Sequence, residues 1–122
     1  MSTTGDAPAN IGRMKPTTGR IVHYKLSDND VEQIGRRRTS SKAIAERIHE
    51  EKWPTGAQAH IGNTPSAGDV VPLIIVRVWP DEGGPGVYGV NGQALLDGND
   101  VLWVTSVHEG AEKGQWIWPP RE

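Results

Sequence analysis

The chain has 122 residues, room for one small domain that buries only about two thirds of its unfolded surface. It has no cysteine, which excludes disulfides and thiolate chemistry, and a formal net charge of −2, which excludes general attraction to nucleic acid or an anionic membrane. Hydrophobic residues make up 35% and charged residues 23%, while 15 glycines and 9 prolines suit short strands and turns better than a helical bundle.

Residues 1 to 18, MSTTGDAPANIGRMKPTT, are small, polar and Pro/Gly-bearing, which predicts a flexible arm ahead of one domain over 19 to 122. GRIVHYKL (19 to 26) reads as the first strand, with Val22, Tyr24 and Leu26 on one face and Ile21, His23 and Lys25 on the other. Ser27 with Asp30 three residues on is a capping-box variant and starts a short helix. Gly35 and RRRTSS interrupt that helix. A second follows over SKAIAERIHEEKW, with Ser40 or Ser41 as N-cap and Ile44 and Ile48 on one face, and Trp53-Pro54 stops it. Residues 27 to 53 are therefore expected as a helical hairpin inserted after the first strand.

Downstream the helical period disappears. AQAHIG (57 to 62), VPLIIVRVW (71 to 79), GVYGVNGQALL (86 to 96), VLWVTSV (101 to 107) and QWIWP (115 to 119) read as strands separated by turn chemistry. LLDGNDVLW is the clearest hairpin, because Asp-Gly between apolar runs supplies the positive φ angles of a tight turn. The fold class is therefore β-rich, α+β: a small five- to six-stranded SH3-like barrel or strongly bent antiparallel sheet, carrying the helical hairpin. Trp116 and Trp118 are expected to face the core and tie the last strand to the first. The longest apolar run, Val70 to Val78, is broken by Pro72 and Arg77 and is too short for a membrane span, and no secretory leader is read.

Candidate chemistry is sparse. The four histidines show neither HxH nor HxxxH spacing, so no metal is expected, and no cofactor. Ser106 and His108 are close in sequence, yet a triad needs a third residue and an oxyanion hole, so no catalytic residue is assigned and the chain is read as a non-enzyme. Arg36, Arg37 and Arg38 beside a helix break suit bidentate phosphate contacts. Arg77 sits inside the apolar LIIVRVW, where a charge needs a carboxylate, a strand edge or a ligand. If the inward faces of the strands line a pocket, His23, His60, Arg77, Asn91, Gln93 and Trp103 supply donors, acceptors and stacking surfaces for a polar, planar, anionic ligand such as a nucleotide.

GRIVHY, GAQAHIGN, IIVRVW, LLDGNDVLWVTSV and GQWIWP together resemble a widespread group of short tailed-phage proteins, with an opening GxIVHY, a central IVRVW-like strand and a closing G-x-W-H-W-P. The resemblance covers about residues 18 to 120, and it departs at Ile117, where the group carries a histidine. It implies a phage-encoded, non-enzymatic protein that sequesters a host immune nucleotide, a cyclic dinucleotide or ADP-ribose derivative made by CBASS or Thoeris defence, in the host bacterial cytoplasm. The alternatives are a virion component, such as a capsid decoration or connector protein, and an inhibitor of a host protein. A homo-oligomer, dimer or higher, is expected, because so small a core gains stability by pairing edges.

Overall fold

The computed structural model describes residues 14–38, 42–50 and 60–120. In chain order these form β1 (Ile21–Lys25), α1 (Asp28–Arg37), α2 (Lys42–His49), β2 (Val70–Trp79), β3 (Gly89–Leu95), β4 (Val101–His108) and β5 (Trp116–Ile117). The five strands make one antiparallel sheet in the order β4-β3-β2-β1-β5, curled into a half-barrel. An isolated bridge between Glu109 and Trp116 joins β5 to the chain just past β4, with the Gly110 amide donating to the Trp116 carbonyl at 2.9 Å. The sheet therefore turns back on itself at that end, and β5 pairs with β1, as the alternating tryptophans led one to expect.

Alternation explains which side chains form the core. Val22 and Tyr24 of β1, Leu73 and Ile75 of β2, Val90 and Ala94 of β3, Leu102 and Val104 of β4 and Trp116 of β5 are buried on the inner face. Ile34 of α1, Leu26 and Leu96 join the same cluster, so α1 packs into the concave side. Two irregularities bend the sheet, between Ile75 and Arg77 on β2 and between Val90 and Gly92 in the β3–β4 pairing. Gly92 is needed there because a Cβ would lie 2.3 Å from the Ile74 carbonyl oxygen.

The capping box forms as read: the Asp30 amide donates to Ser27 Oγ at 3.1 Å and the Ser27 amide to Asp30 Oδ2 at 2.9 Å. The same Oδ2 accepts the Tyr24 hydroxyl at 2.5 Å, which ties the helix start to β1. Burial first, and then this bond, hold the Tyr24 phenol well above its ordinary pKa. Ser27→Ala is expected to cost about 1 kcal/mol in a denaturant melt, because it orphans an amide at the helix N-terminus.

Four expectations need correction. Helix α1 runs through Gly35 to Arg37, since the cap, buried Ile34 and the Arg36–Glu32 ion pair at 2.6 Å outweigh one helical glycine. The segment around His60 contributes isolated bridges, Arg38 to His60 and Gly62 to Gly98, rather than a strand. Gly98 does not take positive φ; it meets the neighbouring chain so closely that a Cβ would lie 2.5 Å from the Ile61 carbonyl oxygen. The β5 strand is two residues long, because Pro119 and Pro120 have no amide hydrogen to continue the ladder.

Residues 1–13 of the expected arm, the Ser40 and Ser41 cap, residues 57–59 and the Trp53-Pro54 stop lie outside the described residues. Residues 14–18, also read as arm, run beside β2: Pro16 is buried and Thr18 Oγ1 donates to the Val76 carbonyl at 3.3 Å. Among the described residues no helix is long and apolar enough to cross a membrane.

Candidate functional site

The side chains that alternate away from the core make an outer sheet face, and this is where five of the expected site residues fall. One row crosses four strands as Ile21, Ile74, Gln93 and Trp103, each the register partner of the next. A parallel row holds His23, paired with Pro72 and with Ile117, and further along Leu95 paired with Val101. Arg77 pairs with Asn91 on the other side of the first row. His23, Arg77, Asn91, Gln93 and Trp103 thus share one face, but it is the outer one. The interior that the sequence suggested as a pocket is filled by the apolar core.

Arg77 is exposed, and its guanidinium lies 4.4 Å from the centroid of the Trp79 ring. Residues 77 and 79 share a face because of the two-residue period, so the aromatic partner of Arg77 is Trp79 rather than Trp103. Asn91 Oδ1 accepts from Trp79 Nε1 at 3.1 Å and from the Ser106 amide at 2.7 Å. With its oxygen taken twice, the Asn91 amide has its Nδ2 donors left for other contacts. The stacked guanidinium keeps its N–H edges for an anion, and stacking limits the side-chain freedom that binding would cost. The cluster is thus a preorganised set of donors around an aromatic ring.

Beside it, Ser106 holds φ at 52°, a backbone conformation uncommon for a non-glycine residue. Its hydroxyl donates to Glu82 Oε2 at 3.1 Å, and His108 Nε2 lies 3.5 Å from Glu82 Oε1. The carboxylate stands between hydroxyl and imidazole. Nucleophile activation needs the imidazole against the hydroxyl, so this arrangement anchors Ser106 and the 80–88 turn instead. Sequence reading paired Ser106 with His108 but had no signal for Glu82, which comes from a different turn.

The arginine run serves another end of the molecule. Arg38 is 3% exposed; its Nε and Nη2 donate to the two oxygens of Asp100 at 3.0 Å each, and its Nη1 to the Asn63 carbonyl at 3.1 Å. Arg37 reaches the Val101 carbonyl at 2.6 Å and lies 3.4 Å from Asp100. Arg36 pairs with Glu32 on the helix surface. Expected as a phosphate clamp, the run is instead largely a structural tie between α1 and the β3–β4 loop. His60 bridges the Arg38 backbone and is half-buried, and its Nδ1 has no hydrogen-bond partner among the described residues.

Concavities lie elsewhere. One cavity of about 60 Å³, lined by Leu26, Arg38, Asn63, Asp69, Leu96 and Asp97, has room for water but not for a nucleotide. An open depression of about 480 Å³ is bordered by Lys25, Gly68, Ala111, Glu112 and Lys113, and Lys25 Nζ already donates to the Ala111 carbonyl at 2.7 Å. Among the described residues no three His, Asp or Glu side chains converge as metal ligands would. No protein-family model, curated protein or solved structure matches this chain.

Proposed function

We propose that the chain is a non-enzymatic binding protein that holds a planar, anionic ligand of the nucleotide class against its outer sheet face. The observation that carries the reading is the Arg77 guanidinium stacked on Trp79 beside the donor side of Asn91. An anionic group takes the guanidinium edge and the Asn91 amide, and a base packs against the half-buried Trp79 ring. Each contact of this kind contributes on the order of 1–3 kcal/mol. The resemblance to short tailed-phage proteins extends the proposal to sequestration of a host immune nucleotide in the bacterial cytoplasm.

The test is calorimetric titration of the full chain with cyclic dinucleotides and ADP-ribose derivatives, followed by heating and recovery of the ligand. Binding with unchanged ligand recovered is the expected result. Arg77→Ala is expected to weaken it roughly tenfold to a hundredfold while unfolding stability moves by about 0.5 kcal/mol or less, because the guanidinium is exposed. Absence of binding across the panel overturns the reading, and recovery of a cleaved product makes the protein an enzyme.

A further inference from the structure

The apolar rows of the outer face have no partner among the described residues. Ile21, Leu95, Val101, Trp103 and Ile117 are between 38% and 52% exposed, and they cluster around Ile74 and Gln93. They leave on the order of 400 Å² of apolar surface in water, the size at which a monomer's largest patch is often functional. A standard interface takes about 800 Å² from each partner, a little over half of it apolar, so the patch matches what one side of a dimer supplies.

We propose that this face is where a second copy of the same chain docks, about a two-fold axis passing near Gln93. In an isologous interface the residue at the axis meets its own copy, so a charge there would meet its like. The row through the patch centre, Ile21, Ile74, Gln93 and Trp103, carries no charge. Its polar member is an amide, which offers both a donor and an acceptor and so complements itself. In the single chain, Gln93 Oε1 is shielded from solvent without a hydrogen-bond partner, an arrangement costly to maintain. Turning the side chain outward presents the whole amide at the axis, where each copy's Nε2 donates to the other's Oε1. Trp103, next to Gln93 in the row and 48% exposed, is the kind of aromatic anchor that dominates interface cores. Arg77 and Lys25 lie outside the two rows, where charges stay hydrated.

Dimerisation is independent of the nucleotide reading, and the experiment separates them. Sedimentation of the full chain from about 1 µM to about 100 µM, without ligand, is expected to give a dimer whose fraction rises with concentration. Gln93→Glu, which sets two carboxylates at the axis, and Trp103→Ser are each expected to raise the dimer dissociation constant at least a hundredfold, with the strand signature in circular dichroism retained. Leu95→Lys, on the exposed margin of the patch, repeats the test if either variant fails to fold. Arg77→Ala is expected to leave the dimer intact whether or not it abolishes ligand binding. A wild-type monomer at the highest concentration overturns the proposal. So does a dimer that survives all three face substitutions yet dissociates with Thr105→Pro on β4, which would place the contact along the strand edge.

Discussion

Asp100→Ala is expected to cost the protein about 3–5 kcal/mol, because it removes the counterion of a guanidinium that is almost wholly buried. Arg38 and Asp100 meet in two bonds of 3.0 Å each, and their side chains are 4% and 1% exposed. The remaining Arg38 bond, to the Asn63 carbonyl, does not neutralise the charge. Arg37 loses its contact with the same carboxylate, which adds to the damage. The link spans 62 positions of sequence and fastens the end of α1 to the β3–β4 loop, so the helix insertion should loosen with it. Denaturant unfolding measures the loss. The double variant Arg38→Met with Asp100→Leu is expected to recover much of it, since an apolar pair in place of a buried ion pair is often neutral. A single-variant loss below about 1 kcal/mol would show that the pair is not holding the insertion in place.

Trp116→Ala is expected to be similarly severe, about 3–5 kcal/mol and a fall in melting temperature on the order of 15 °C. The indole is wholly buried, its Nε1 donates to the Tyr88 carbonyl at 3.2 Å, and its ring meets Trp118 edge to face with centroids 5.7 Å apart. Its backbone pairs with Tyr24 on one side and bridges to Glu109 on the other. Cavity formation and loss of the seam therefore act together. Hydrogen exchange should report it locally, with the Lys25 and Gly110 amides losing protection first because both donate to carbonyls at the seam. Trp118→Ala is the comparison: this ring is half-buried with Arg20 5.2 Å from its centroid, and a smaller loss is expected there.

Much of the architecture was legible because it is local. The two-residue period sorted Val22, Tyr24 and Leu26 from Ile21 and His23, and burial follows that sorting. Ser27 and Asp30 marked a helix start that depends only on neighbours three residues apart. What failed was also local in form but decided at long range. Asp97-Gly98 looked like a tight turn, yet Gly98 answers to the close passage of residues 61 and 62. Gly35 looked like a breaker, yet buried Ile34 keeps the helix going.

The site shows the same division. Composition and alternation alone determined that the protein is a small sheet-rich domain without thiols, and that Arg77, Asn91, Gln93 and Trp103 stand on strands. A period of two names two faces but carries no label for the concave one, because curvature comes from bulges and from what packs behind the sheet. Only the tertiary structure put those residues outside, set Trp79 under Arg77 and placed Glu82 between Ser106 and His108. It alone also spent Arg38 on Asp100: a guanidinium has the same chemistry toward a phosphate or a carboxylate, and which one it meets is settled by chain brought from far along the sequence.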